Sequence, residues 1–280
     1  MLTKMNKKTK RSIFCWLALS PIICVIVFPF AVMFFTSVKP RQEVFSFPPT
    51  WLPSQFVWQN YIDMWQATKF SDALINSLYV SFSATFITLL VAIPAAYALA
   101  RYHFAAKSSY RLFLLITQML SPIVLVIGLF RLIVWLGLID SVNSLVLIYA
   151  GFNIAFAIWM LQNYFHTIPK DLEESAWMEG ASFLQGLTKV FLPMAIPAIA
   201  VTAMFTFINS WNEFVLALTV LRTEENYTLP IQVYSLVGGR YTIEWHHVMA
   251  AALVASLPAA ILFSWLQKKL VTGLSSGAVK

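Results

Sequence analysis

Residues 86–100 read FITLLVAIPAAYALA, a stretch with no charged side chain and with apolar residues at nearly every position. A membrane-spanning β-strand would alternate apolar and polar side chains over about ten residues, and this stretch does not alternate. A helix needs about 20 apolar residues to cross the hydrocarbon core of a bilayer. The surrounding apolar run, about 74–100, has that length, so the stretch predicts a membrane-spanning helix.

The whole chain has the composition of a membrane protein. Of its 280 residues, 59% are hydrophobic and only 11% are charged, whereas soluble domains carry about 25% charged residues. We therefore predict an all-α integral membrane protein, with one transmembrane domain over 1–280 and six spans. The predicted spans are about 13–36, 74–100, 112–136, 143–165, 192–220 and 247–267.

The basic residues predict the orientation of these spans, because Lys and Arg accumulate in short cytoplasmic loops. If the amino end is cytoplasmic, thirteen of the nineteen basic residues lie on that side. Both termini are then expected in the cytoplasm. The positive charge is spread over positions that flank the spans, so we expect no nucleic-acid partner.

One strongly charged segment lies between the apolar runs, DLEESAWMEGASFLQGLTKVFLPMAIP at 171–197. Its acidic residues follow Pro169, where negative charge favours the start of a helix. Ala176, Trp177, Phe183 and Leu184 give it a small apolar face. Such a helix suits a groove in another protein, and the alternative is a helix that lies along the membrane surface.

The spacing within this segment is specific. Glu174-Ser175-Ala176 is followed after two residues by Glu179-Gly180-Ala181, and after eight more by Val190, Leu192 and Pro193. This resembles the EAA loop of permease subunits in binding-protein-dependent ABC importers. Four further segments resemble the maltose-type carbohydrate branch of these permeases: PFAVMFFTSVKP at 29–40, WQNYIDMW at 58–65, NSWNEF at 209–214 and GLSSGAVK at 273–280.

The resemblance implies a type I ABC importer permease fold in a bacterial inner membrane, with a cytoplasmic coupling loop at about 168–191. It also implies a second homologous permease subunit, an ABC ATPase dimer and an extracytoplasmic solute-binding protein as partners. The cargo it implies is a sugar, and a non-sugar solute is the alternative. The residues expected to couple the chain to the ATPase are Glu173, Glu174, Ser175, Ala176, Glu179, Gly180 and Ala181.

The sequence predicts neither an enzyme nor a cofactor in this chain. It has no Gly-rich loop ending in Gly-Lys-Ser/Thr, the motif whose backbone and lysine hold ATP phosphates. ATP and magnesium are therefore expected on the ATPase partner. His103, His166, His246 and His247 form no convincing ligand pattern, so no metal is expected. Ionisable residues at bilayer depth are nearly absent, which disfavours an ATP-independent, ion-coupled carrier.

Polar residues form a stripe along the fifth predicted span. Thr202, Thr206, Asn209 and Glu213 recur at helical spacing, and Asn212 lies beside them. They are candidates for a route for a hydroxyl-rich solute, while helix packing remains the alternative. A second stripe, in the second span, is better explained by packing and consists of Ser77, Ser81, Thr85 and Thr88.

Overall fold

A computed structural model describes residues 7–238 and 243–277 of the chain, and these residues form helices joined by short loops, without a β-strand. The helices are α1 (Lys7–Ser37), α2 (Arg41–Val44), α3 (Gln59–Ala67), α4 (Phe70–Arg101), α5 (Lys107–Met119), α6 (Pro122–Trp135), α7 (Val142–Phe165), α8 (Asp171–Met178), α9 (Phe183–Gln185), α10 (Leu192–Trp211), α11 (Val215–Val220), α12 (Leu229–Gly238) and α13 (Trp245–Gly277). A π-helical segment, Gly186–Phe191, joins α9 to α10, and a 3₁₀ turn occupies Glu224–Asn226.

Five of the described helices or helical runs are long and apolar enough to cross a membrane, and the number is six if one bent pair counts as a single span. That pair is α5 and α6, which meet at 95° where we predicted one span over 112–136. Pro122 explains the break, because a proline disfavours helical dihedrals in the residue before it. Ser121 accordingly takes extended dihedrals, φ −68° and ψ 132°.

The fifth predicted span, 192–220, is shifted in the structure. The helical run begins at Phe183 and ends at Trp211, and α11 forms a separate short helix beyond it. Glu213 therefore lies in the turn between two helices, not on the long helix that the sequence predicts. The predicted cytoplasmic termini include residues 1–6 and 278–280, which lie outside the described residues.

The chain divides into two compact units, Met1–Thr68 with Val233–Ser256, and Lys69–Gln232 with Leu257–Lys280. In the first unit, α3 is tied to the end of α1. The Nδ2 group of Asn60 donates to the carbonyls of Ser37 at 2.8 Å and Lys39 at 2.9 Å. In α2, the carboxylate of Glu43 accepts hydrogen bonds from Thr50 and Ser54, and these bonds hold the pKa of Glu43 below its usual range.

The second unit is built on the long contact between α4 and α7, with α10 packed against both. Small side chains line the buried face of α4, including Ala73, Ala84, Ala92 and Ala96, each with 0% of its surface exposed. Within a bilayer, small residues allow helix backbones to approach closely, which strengthens dispersion contacts. The second predicted polar stripe lies on this face, and the structure buries all four of its members, Ser77, Ser81, Thr85 and Thr88. Packing is thus their role.

Candidate functional site

The charged segment forms the short helix α8, which begins with three carboxylates in its first turn, those of Asp171, Glu173 and Glu174. Backbone N–H groups in the first turn of a helix have no intrahelical partner and carry partial positive charge. Acidic side chains are favourable there, so the local sequence itself encodes the start of α8.

The end of α8 is encoded by Gly180. The N–H of Gly180 donates to the carbonyl of Trp177 at 3.0 Å, and the N–H of Ala181 donates to the carbonyl of Ala176 at 2.9 Å. This pair of bonds is a Schellman motif, which requires a residue in the left-handed conformation. Gly180 has φ 88°, and a Cβ atom there would meet nothing within 4 Å. Backbone conformation, and not space within this chain, is what selects glycine.

A new helix starts immediately after this turn. The N–H of Gln185 donates to Oγ of Ser182 at 3.3 Å, and the N–H of Ser182 donates to Oε1 of Gln185 at 2.9 Å. These reciprocal bonds form a capping box. The chain therefore makes one defined turn, at 179–182, between α8 and the helical run that enters the membrane. We call this turn the elbow.

Around the elbow, large apolar side chains are exposed over much of their surface. The exposed fractions are 89% for Met178, 65% for Leu184, 49% for Phe183 and 43% for Trp177. Of the predicted coupling residues, Glu174, Ser175, Glu179 and Gly180 are exposed as well, while Ala176 and Ala181 are partly buried. The segment thus presents an apolar surface bordered by carboxylates, which is the composition of a docking face.

Glu173 differs from the other predicted coupling residues because it is only 2% exposed. Its Oε1 atom accepts a hydrogen bond from Nε of Arg101 at 2.6 Å, and Nη2 of Arg101 lies 2.6 Å from the same oxygen. Its Oε2 atom accepts from the hydroxyl of Tyr97 at 2.6 Å. Glu173 therefore faces the bundle and connects α8 to the last turn of α4.

An aromatic cluster lies beside this ion pair. Phe191, which is fully buried, packs edge-to-face against Tyr97 and against Phe165, with ring centroids 4.9 Å apart in both cases. The guanidinium of Arg101 lies 5.0 Å from the centre of the Phe191 ring. Edge-to-face and cation–π contacts of this kind are favourable and directional. They fix the π-helical segment against the ends of α4 and α7.

Gly186 allows the indole of Trp177 to pack closely on the π-helical segment. A Cβ atom at Gly186 would lie 2.8 Å from Nε1 of Trp177. A larger residue would therefore push the indole away. The sequence predicts that Gly186 permits a sharp turn or the close approach of another backbone, whereas the structure places the indole side chain of Trp177 against it.

A second candidate site is a cavity of about 360 Å³ beside the break between α5 and α6, within the range of about 300–1,000 Å³ typical of ligand pockets. Its lining combines amides, a carboxylate and aromatic rings. The lining residues used below are Gln118, Tyr149, Phe152, Asn153, Phe156, Asn209, Asn212 and Glu213.

The amides of the cavity are already part of a hydrogen-bond network. Asn209 donates from Nδ2 to Oδ1 of Asn153 at 3.3 Å. Asn153 donates in turn to the carbonyl of Tyr149 at 2.8 Å and to Oγ of Ser210 at 3.3 Å. Such bonds hold the side chains in one orientation. Asn209 and Asn212 are exposed, so both retain polar groups that can face a solute.

Glu213 lines this cavity and also starts α11. Its carboxylate accepts the N–H groups of Leu216 at 2.9 Å and Ala217 at 3.1 Å, and the hydroxyl of Tyr149 at 2.7 Å. These three bonds satisfy much of its capacity as an acceptor. The side chain therefore holds the cavity wall in place.

Thr202 and Thr206 do not reach the cavity. Both are 0% exposed. The hydroxyl of Thr202 donates to the carbonyl of Ala198, and the hydroxyl of Thr206 donates to the carbonyl of Thr202, each at 2.8 Å. Of the predicted route residues, the structure brings Asn209, Asn212 and Glu213 to the cavity and leaves the two threonines in the helix packing.

Sequence reasoning missed four residues of these sites. Arg101 is one of the thirteen basic residues that indicate the orientation and has no other role in the sequence analysis, and Tyr97, Tyr149 and Asn153 were not singled out. Asn153 carried a usable signal, because a polar side chain in the middle of a 24-residue apolar helix is costly unless it has partners. The Arg101–Glu173 pair had no local signal, since the two residues are 72 positions apart.

The structure also brings together two histidines that the sequence did not connect with an acidic group. Potential ligand atoms of Glu244, His246 and His247 lie within 4.8 Å of one another. Glu244 interacts with Nδ1 of His247 at 3.1 Å and with Nη1 of Arg41 at 2.9 Å. Glu244 precedes the first turn of α13, where negative charge is favourable.

Comparison with known proteins adds to this geometry. Residues 88–276 match the family model described as "Binding-protein-dependent transport system inner membrane component". The chain is 32% identical to the inner membrane ABC transporter permease protein YcjP of Escherichia coli K12, over 98% of this chain and 99% of that protein. It is 33% identical to the diacetylchitobiose uptake system permease protein DasC of Streptomyces coelicolor, over 97% and 99%.

Solved structures agree on the fold. The chain superposes with a TM-score of 0.76 on a chain of a bacterial ABC transporter involved in the import of the acidic polysaccharide alginate. The match covers 96% of this chain and 99% of the other, at 24% identity. At this level of identity the likeness concerns the fold alone, which is that of an ABC importer permease.

Proposed function

Because the chain belongs to the family of binding-protein-dependent transport system inner membrane components, we propose that it is the permease subunit of an ATP-driven importer whose cargo is a sugar. The observation that carries this proposal is the segment 171–185, a short acidic helix with exposed apolar side chains that is fastened to α4 by Glu173. A short helix with such a surface fits a groove in another protein, and we infer that this protein is the subunit that supplies the driving force.

The relatives support a carbohydrate cargo. DasC is a permease for diacetylchitobiose uptake, and the trehalose/maltose transport system permease MalG of Thermococcus litoralis is 33% identical over 94% of this chain and 94% of that protein. The chemistry of the cavity agrees with this class, since amides replace the hydrogen bonds that sugar hydroxyls make with water. Phe152 and Phe156 offer apolar faces for sugar rings.

We propose three kinds of partner. An ABC ATPase dimer binds the surface around the elbow and hydrolyses ATP with magnesium, because this sequence has no phosphate-binding loop. A second, homologous permease chain completes the membrane pathway. An extracytoplasmic solute-binding protein delivers the cargo, and in a related alginate transporter structure such a periplasmic protein is bound to an alginate pentasaccharide.

The proposed mechanism is alternating access driven from the cytoplasm. Closure of the ATPase dimer moves α8, and α8 carries α4 with it through the Arg101–Glu173 pair. Because α4 packs along α7 and α10, its movement changes the walls of the cavity that Asn153 and Asn209 line. The solute then leaves the binding protein and passes this cavity on its way inward.

The test is reconstitution of the complete complex in liposomes with labelled sugars, with and without the ATPase. We expect uptake that requires both ATP and the binding protein. Glu174→Lys reverses the charge of an exposed carboxylate on the docking face, so we expect it to abolish uptake while the subunit still inserts. A Ser109→Lys variant, which adds a lysine at an exposed position outside segment 168–191, serves as the control and should leave uptake unchanged.

The results separate the alternatives. Uptake by this chain without ATPase or ATP would show an independent carrier. ATP-dependent uptake of a non-sugar solute, with no response to any carbohydrate, would keep the importer and reject the sugar. Normal uptake by a membrane-inserted Glu174→Lys variant would reject the docking role of α8.

A further inference from the structure

Arg101 contacts three elements besides its own helix. Its Nε atom donates to Oε1 of Glu173 in α8, and its Nη2 atom lies 2.6 Å from the same oxygen as part of the ion pair. Its Nη1 atom donates to the carbonyl of Phe165, the last residue of α7, at 3.3 Å. Its guanidinium also lies over the ring of Phe191 in the π-helical segment. One side chain at the end of α4 therefore joins α7, α8 and the entrance to α10.

The charged side chains of this junction are largely buried. The side chains of Arg101 and Glu173 are 8% and 3% exposed, whereas the neighbours of Glu173 on α8, Leu172 and Glu174, are exposed. Charges in a poorly solvated site interact more strongly than on the surface, and the loss of either partner leaves an uncompensated buried charge. The pair is thus a fixed contact between α8 and α4.

The geometry requires an arginine. A guanidinium has several N–H donors in one plane, so it can hold Glu173 and the carbonyl of Phe165 together while its face stacks on Phe191. The single ammonium of a lysine keeps the positive charge but lacks this planar face and its divergent donors. Tyr97, which donates to the second oxygen of Glu173, restricts rotation of the carboxylate. The arrangement fixes direction as well as distance.

We propose that Arg101, Glu173 and Tyr97 form a mechanical junction that makes α4 follow the movement of α8, and that they set how much transport each ATP hydrolysis produces. This inference rests on the proposed importer function. The three residues are positioning residues, because they act through α8 and touch neither nucleotide nor solute. Residues around the elbow bind the ATPase, and the junction transmits the resulting movement to the bundle.

The decisive variant is Arg101→Lys, which keeps the charge. The measured quantity is the ratio of sugar imported to ATP hydrolysed, in complexes purified with equal amounts of all subunits. We expect this ratio to fall at least tenfold while ATP hydrolysis stays within about threefold of the unmodified complex. Arg111→Lys is the matched control, since Arg111 is also a basic residue at the same cytoplasmic end of the bundle, and its ratio should not change.

A purely structural role predicts a different outcome. In that case Arg101→Lys would lower the yield of assembled complex, and uptake and hydrolysis would fall together at an unchanged ratio, which would overturn the proposal.

A second readout requires no transported solute. Hydrogen exchange of the backbone amides in 171–181 should become at least tenfold faster in Arg101→Lys and remain unchanged in Arg111→Lys. Unchanged exchange in Arg101→Lys would show that α8 does not depend on the junction. If the unmodified complex imports no sugar, the proposed cargo is wrong. If it imports sugar and the Arg101→Lys complex has the same ratio of sugar imported to ATP hydrolysed, the proposed junction is wrong.

Discussion

Gly180 shows how one backbone angle can explain a motif residue. Since an added side chain meets no atom of this chain within 4 Å, the cost of replacing Gly180 comes from its φ of 88°. The left-handed conformation costs about 1–2 kcal/mol for most residues with a Cβ atom and less for asparagine. Position 180 therefore favours glycine because of its backbone conformation, not because of contacts with neighbouring atoms.

We predict a graded series at this position. Coupled ATPase activity should fall in the order Gly180, Gly180→Asn, Gly180→Ala and Gly180→Val, because β-branched residues tolerate positive φ worst. Gly151→Ala is the control, since Gly151 lies in α7 with space for a Cβ atom and gains helix propensity. Equal activity of Gly180→Asn and Gly180→Val would show that φ does not decide this position.

The cavity allows a test that distinguishes lining from packing. Asn209→Ala removes an exposed amide that bonds Asn153, so we expect uptake to fall at least tenfold without loss of assembled complex. Thr202→Val removes only a hydroxyl that bonds its own helix, and we expect uptake within about twofold of the unmodified chain. The measurement is the initial rate of labelled sugar uptake. If Thr202→Val lowers the initial rate of uptake as much as Asn209→Ala does, the proposed difference between a cavity-lining and a packing residue is wrong.

At the level of residues, the sequence predicted the charged segment but not which carboxylate turns inward. Glu173 and Glu174 are adjacent and alike in chemistry, and only the distant Arg101 distinguishes them. Similarly, helical spacing placed Thr202 and Asn209 on one stripe. The structure separates them, because the face of a helix that neighbouring helices bury depends on tertiary packing.

Among the elements, the contact between α4 and α7 can be tested by added volume. Ala92 is 0% exposed, whereas its neighbour Val91 is 44% exposed. Ala92→Leu should destabilise the subunit by about 1–3 kcal/mol, because overpacking forces backbone shifts, while Val91→Leu should change stability little. Thermal unfolding of the purified complex measures both. Equal unfolding midpoints for the two variants would show that the α4–α7 contact accommodates the larger side chain without strain.

The spans illustrate what a hydropathy pattern can and cannot predict. Runs of apolar residues predicted the second and fourth spans to within a few residues, since length and polarity alone determine them. The break between α5 and α6 was not predicted, because 112–136 was treated as one apolar run although the polar residues Thr117, Gln118 and Ser121 precede Pro122. Pro122 alone does not identify a break, since prolines inside α1, α4 and α10 do not break those helices.

For the whole molecule, the predicted orientation can be tested by chemical labelling. After Cys15 and Cys24 are replaced by serine, a cysteine at the exposed position Met178 should be protected from a membrane-impermeant maleimide in intact cells. A cysteine at the exposed position Gln55 should react. Permeabilised cells should label both. Labelling of the Met178→Cys variant from outside would invert the topology and detach α8 from any cytoplasmic ATPase.

The elbow and the Arg101–Glu173 pair differ in how far apart in the sequence their determining residues lie. Gly180, Ser182 and Gln185 specify the turn within a few neighbouring residues, but the contact that fastens it draws on Arg101, far upstream. If segment 168–191 alone is exchanged between permeases, the turn should keep its shape, but Glu173 loses its contact with Arg101. Chimeras designed to pair this chain with the ATPase of another transporter therefore need to exchange the end of α4 that contains Arg101 together with segment 168–191.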